Sequence, residues 1–195
     1  MCRPQPDPLA VVTTNPGKAA SFSRLIAPHP TQAVSLELVE PQEASVAAVA
    51  MSKAEQAYRK LQRPLVVEDG GLVIPSLGEW PGAYTKPFLH AVGIDGLFRL
   101  LGARDPSAYF DSAVVYYDAD GPIMFAGPSM YGRLVRRTIS IPDHAWSSLW
   151  EAFMPAGADQ VLAELDTPTR NSYAPEDDPL RQFARWWHGQ RGTAL

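Results

Sequence analysis

The chain has 195 residues, 46% of them hydrophobic, and a formal net charge of -4 at pH 7. That is enough apolar content for one substantial core and excludes a disordered chain, while the mild acidity argues against a broad polynucleotide or anionic-membrane surface and still permits a local basic pocket for phosphates. A single cysteine, Cys2, excludes an internal disulfide and suits a reducing compartment.

No apolar run approaches the roughly 20 residues that cross a bilayer, and the start lacks a basic segment followed by an apolar one. A cytoplasmic protein with no membrane partner is expected. Residues 1–8 are Pro-rich and read as a flexible tail, leaving 9–195 as one α/β domain. The 19 prolines cluster at the ends of apolar runs, as short connections would place them.

Residues 9–13 read as a buried strand, followed by Thr13-Thr14-Asn15-Pro16-Gly17-Lys18 and a helix over 17–27 with Ala20, Leu25 and Ile26 inward. The pattern then repeats, with an alternating strand over 34–39 and a helix over 43–61 whose Val46, Ala50, Ala54, Ala57 and Leu61 recur at helical spacing. A third strand over 65–68 ends in Glu68-Asp69-Gly70-Gly71. This order predicts a layered α/β domain with ligands at strand ends. Trp80-Pro81-Gly82-Ala83 is a turn-rich connection into 84–90, and 95–101 reads as a short helix. Two β-rich runs, 109–117 and 123–126, flank Asp118-Ala119-Asp120-Gly121 as a hairpin, and 130–135 extends the second run beyond a kink at Gly127-Pro128. The sheet is therefore mixed. The pattern is irregular from Pro142 until a terminal helix over 179–188.

Two stretches carry chemistry. Glu68-Asp69-Gly70 reads either as a turn or as a pair of carboxylates able to hold a divalent cation or activate water, with Gly70 and Gly71 letting a substrate approach the backbone. The loop with Thr13, Thr14, Asn15 and Lys18 reads either as a helix cap or as a phosphate cradle, in which the helix-start amides attract an anion and Lys18 adds charge. Glu40, at the end of the second expected strand, would face the same cleft as Glu68 and Asp69, so that three acids surround one ion. Each is otherwise an ordinary solvated carboxylate. Lys53 and Lys86 lie on neighbouring segments and are surface lysines in the plainest reading.

Together with Leu77-Gly78-Glu79-Trp80-Pro81-Gly82-Ala83-Tyr84-Thr85-Lys86-Pro87-Phe88-Leu89, these motifs stand in register over residues 9–135 and resemble the inosine/xanthosine triphosphate pyrophosphatase family. The resemblance implies an elongated mixed sheet with flanking helices forming two lobes around a central nucleotide cleft, usually as a homodimer. It implies hydrolysis of non-canonical purine nucleoside triphosphates to monophosphate and pyrophosphate with magnesium. On that footing Thr13, Thr14, Asn15, Lys18, Lys53, Gly70 and Lys86 contact substrate, Glu40 and Asp69 hold magnesium, Glu68 supports them, and Asp69 takes the proton from water. Glu40 needs a one-residue shift in register, which leaves Glu43 as the alternative metal ligand.

The base-reading end departs from the family. Members usually carry an aromatic-Gly-aromatic-Asp-Pro run before a Phe and a Ser-His-Arg run near the C-terminus. Here the first is Ser147-Ser148-Leu149-Trp150-Glu151-Ala152-Phe153, and Ser-His-Arg is absent. Arg170-Asn171 resembles the Lys-Asn before that motif, Arg181 stands in for its arginine, and Trp146 or Trp150 either stacks on a base or fills the core. The expectation is a magnesium-dependent nucleoside triphosphate pyrophosphohydrolase with altered base preference. The alternatives are a nucleotide-binding protein without turnover and a phosphohydrolase for a specialised nucleotide.

Overall fold

Short β-branched runs alternate with helical periodicity along the chain, and the computed structural model closes them into one mixed sheet of seven strands flanked by helices. It describes residues 7–192 except 44, 138, 141, 143, 144 and 146, with backbone only at 191 and 192. Cys2 and Trp146 lie outside the described residues. The first half holds β1 (Leu9–Val12), α1 (Pro16–Leu25), β2 (Thr31–Val34), α2 (Val46–Leu61), β3 (Leu65–Ile74), β4 (Trp80–Gly82) and α3 (Thr85–Leu101). The second holds β5 (Ser107–Asp118), β6 (Gly121–Leu134), β7 (Phe153–Pro155), α4 (Thr167–Ser172) and α5 (Pro179–Gly192).

The strand order is β2-β1-β3-β5-β6-β7, with β4 beside β3. β1 is parallel to both β2 and β3, and the remaining pairs are antiparallel. One edge of β3 is covered by β5 from Leu65 to Val73. On its other edge β1 reaches Leu65 and Val66, and β4 reaches Leu72 to Ile74. Residues 67–71 therefore have no strand partner on that edge among the described residues, and α1 and α3 begin just past the strands that bound this gap.

Three hydrophobic clusters meet around β3. Leu65 and Val67 pack with Val46, Ala50, Ala54 and Ala57 of α2, whose small side chains bring the helix close to the sheet. Val66 faces the other way, among Phe22 of α1 and Phe183 and Trp187 of α5. Farther along, Leu72 and Ile74 join Leu97, Phe110, Trp150 and Phe153. Burying a side chain of this size contributes about 1.5–3 kcal/mol, so both ends of β3 are firmly anchored. Between them Glu68, Asp69 and Gly70 reach solvent.

The structure corrects several boundaries. The strand expected over 65–68 runs on to Ile74 because β5 offers it a continuous antiparallel partner. Glu68 and Asp69 thus sit in mid-strand rather than at a strand end. β2 spans Thr31–Val34, not 34–39, because β1 pairs only there. Beyond it, Gln56 of α2 takes over, with its side chain bonding both the N–H and the carbonyl of Val39 at 2.9 and 2.8 Å. Glu40 is therefore carried on a segment tied to α2. Residues 85–101 form one helical stretch broken at Gly93, where φ is 64°. Unanticipated β7 ends the sheet, and no helix among the described residues is long and apolar enough to cross a membrane.

Gly71 is required by close approach: a Cβ built there falls 2.1 Å from the Gly82 carbonyl oxygen. Thr85 Oγ1 locks that corner, donating to the Gly82 carbonyl and accepting from the Leu72 N–H, both at 2.7 Å. Gly71→Ala is expected to destabilise the fold by on the order of 2 kcal/mol or more, since backbone must move. At Gly70 the nearest atom is 3.2 Å away. Gly70→Ala should cost clearly less, and urea midpoints of the two variants check the contrast.

Candidate functional site

Adjacent residues of a strand point to opposite faces, so Glu68 follows Val66 toward α1 and α5 while Asp69 follows Val67 toward α2. Each carboxylate meets a lysine from the helix on its side. Lys18 Nζ of α1 lies 2.9 Å from Glu68 Oε2 and also donates to the Glu68 carbonyl at 3.3 Å. Lys53 Nζ of α2 donates at 2.7 Å to Asp69 Oδ2 and at 2.7 Å to Glu40 Oε1. The expectation of three acids around one ion gives way to a pair, Glu40 with Asp69, and a separate Glu68. Lys53 thereby joins Glu40 to Asp69, while Glu43 is exposed. Burial would lower the Lys53 pKa, but the attraction and hydrogen bonds of Asp69 and Glu40 outweigh it, and the ammonium titrates above its ordinary range.

Behind the gap, Ser112 Oγ donates toward Glu68 Oε1 and the Asp69 carbonyl, each at 3.3 Å. In front, the loop after β1 is held by its own hydrogen bonds. Thr13 Oγ1 accepts from the Asn15 N–H at 3.0 Å, and Asn15 Oδ1 accepts from Gly17 and Lys18 N–H at 2.9 and 3.3 Å. Of the two readings of Asn15, helix capping is what this oxygen does. Thr14 is exposed in the loop after β1, Gly70 is exposed at the gap, and Lys86 is exposed in the first turn of α3.

Trp150 is 4% exposed and belongs to the core. The Arg170 guanidinium lies 3.9 Å from the Trp150 ring centroid and donates to the carbonyls of Leu162 and Leu165 and to Thr167 Oγ1. This buried pair knits the connections between β7 and α4. Arg181 donates to the Asn171 carbonyl at 2.7 Å, tying α5 to α4.

Oxygen donors suit magnesium, which is commonly held by one or two carboxylates and completed by substrate phosphates. Glu40 and Asp69 converge on one positive centre, the Lys53 ammonium, so this pair fits such an ion. Among the described residues no group of three His, Cys, Asp or Glu could form a closed protein cage.

The sequence model of the Ham1 family matches residues 9–186. This chain belongs to the Ham1 family. Its relatives include the inosine triphosphate pyrophosphatase of Aspergillus oryzae, 30% identical over 189 residues and covering 95% of this chain and 96% of that one. The dITP/XTP pyrophosphatase of Hyperthermus butylicus is 29% identical over 184 residues, covering 91% and 93%. Among solved structures, the Ham1 proteins of Coxiella burnetii and Staphylococcus aureus superpose with TM-scores of 0.78 and 0.76 at 19% and 17% identity. The first alignment covers 93% of this chain and 99% of its counterpart, the second 93% and 98%, which shows that the Ham1 fold is shared throughout.

In this Ham1 chain the sequence reading missed Ser112 and Asp178. Asp178 had a legible signal, since an Asp before Pro179 at a helix start is a capping pattern. Its Oδ2 accepts the Arg181 N–H at 3.1 Å, and the residue is 5% exposed. Burial pushes its carboxyl up to about 6 against the opposing pulls of the Arg181 N–H and charge, with a smaller upward push from Glu68 and a smaller downward one from the Leu180 N–H. A carboxyl raised in the folded state keeps its proton longer than in the unfolded chain, so stability falls as pH climbs from about 4 through 6. Asn keeps the capping oxygen without the charge. Asp178→Asn is expected to be more stable than the parent at pH 8, by on the order of 2 kcal/mol, and to lose that advantage at pH 4. Urea midpoints at both pH values check it.

Proposed function

We propose that this chain hydrolyses nucleoside triphosphates to the monophosphate and pyrophosphate, at the gap in the β3 edge. The observation that carries the reading is the arrangement of two neighbouring carboxylates on opposite faces of one strand, each held by a lysine from a different helix at the same opening. The relatives named as inosine triphosphate and dITP/XTP pyrophosphatases support it.

In this reading Lys18 and Lys53 turn from their carboxylates to the phosphates, Lys86 adds charge from α3, and Thr13, Thr14 and Gly70 line the opening. Glu40 and Asp69 hold magnesium, which when bound supplies charge neutralisation and polarises phosphoryl oxygens. Asp69 takes the proton from the water that attacks the α-phosphorus, while Glu68 keeps Lys18 in place. Asn15 serves the phosphate site by fixing the loop. The enzyme works in the cytoplasm as a homodimer, for which size-exclusion chromatography is the check.

Base preference is relaxed relative to the family resemblance. Discrimination between isosteric bases needs positioned polar groups that the wrong base leaves unpaired. Ser-His-Arg is absent, Trp150 and Arg170 are turned into the core, and Arg181 is engaged with Asn171.

Two measurements test this. Incubation with nucleoside triphosphates and magnesium should release pyrophosphate rather than orthophosphate, and Asp69→Asn should lose most turnover while its thermal unfolding stays near that of the parent. Wild-type rates for Asp69→Asn would remove Asp69 from the chemistry. Separately, Lys18→Ala should slow all accepted triphosphates by a similar factor, on the order of tenfold. Inosine and xanthosine triphosphates should be preferred over adenosine and guanosine triphosphates by less than about a hundredfold, the range that polar readout reaches. Subsaturating rates across the four substrates decide both points.

A further inference from the structure

α5 runs from Asp178, beside the candidate site, to a cavity of about 340 Å³ near its other end. Tyr116, Trp186 and Trp187 line this cavity together with Asp118 and Asp120 from the β5–β6 turn. The volume lies at the small end of the range for ligand pockets.

Trp186 is half-buried and offers most of the aromatic surface, while Tyr116 and Trp187, 8% and 5% exposed, meet the cavity from the core behind it. Tyr116 meets Trp186 at 5.0 Å and 52°, Tyr116 meets Trp187 at 6.0 Å and 68°, and the two tryptophans meet at 6.3 Å and 62°. Asp118 is fixed against this wall: its Oδ2 accepts the Tyr116 hydroxyl at 2.9 Å and its Oδ1 accepts the Asp120 N–H at 3.0 Å. Both donors are neutral, so neither cancels the carboxylate's charge.

We propose that this cavity is a second binding site, for a small organic cation of the alkylammonium type. Aromatic faces attract a cation through their quadrupole, and the attraction strengthens where water is excluded. Asp118 and Asp120 supply the opposite charge. An anion would be repelled by these carboxylates, and a wholly apolar ligand would strip water from Asp118 without replacing it. The site is separate from the candidate nucleotide site, since Tyr116 pairs with Val66 and Asp118 lies beyond the start of β3 at Leu65, whereas Glu68 and Asp69 lie farther along the strand.

The test is calorimetric titration of the full chain with choline and with its uncharged carbon isostere, in which a quaternary carbon replaces the nitrogen. Choline is expected to bind saturably with a Kd around millimolar, and the isostere at least about tenfold more weakly, as a desolvated cation–π contact predicts. Asp120→Asn, at an exposed position of the turn, should weaken choline about threefold or more, and Trp186→Ala should abolish binding while circular dichroism shows a folded chain. Absence of saturable choline binding, equal affinity for the isostere, or an unchanged Kd in Asp120→Asn would each overturn the proposal. The Asp120 variant keeps the question decidable if Trp186→Ala fails to fold.

Discussion

Everything at the candidate site follows from the alternation of side chains along β3, applied where the strand leaves one core and has not yet entered the next. Leu65 and Val67 are committed to α2, Val66 to α1 and α5, and Leu72 and Ile74 to the far cluster. With both ends immobilised by apolar packing, the register of β3 cannot slip by one residue without turning every buried side chain to the wrong face. Glu68 and Asp69 are thereby sent to opposite faces, and neither can exchange roles with the other.

That separation organises the charges. A carboxylate withdrawn from water needs a partner, and here α1 supplies Lys18 and α2 supplies Lys53. Lys53 serves two acids, Asp69 from the strand and Glu40 from the segment tied to α2, and the Gln56 bonds to Val39 fix that segment about one turn along the same helix face. α2 thus carries both the cation and the clamp on one of its anions. Lys18 is placed by Asn15, whose capping bonds set where α1 starts and hence where its first turn projects.

Helices α1, α2 and α5, the mixed sheet and the β5–β6 hairpin were legible because each rests on local periodicity or turn chemistry, whereas α4 left no such signal. Asp118 to Gly121, the alanines of α2 and Pro179 at the start of α5 are signals of that kind. The length of β3 was not, because Glu68-Asp69-Gly70-Gly71 has turn composition and only a long antiparallel neighbour, remote in sequence, makes it a strand. The same limit explains why three acids looked convergent: facing depends on whether the strand continues. Trp150 was open between ligand and core because an exposed and a buried aromatic look alike in sequence, whereas Arg170 was expected at the substrate, and only the fold brings its guanidinium onto the ring.

The incomplete edge of β3 has a further consequence for how the chain keeps to itself. An unpaired strand edge is a template on which another polypeptide can add a strand, leading to aggregation. Here the free stretch is bounded by β1 at one end and β4 at the other, and it carries two acidic residues followed by two glycines. It is too short and too charged to recruit a foreign strand. The fold can thus leave its central sheet open at one point without offering a polypeptide a usable template.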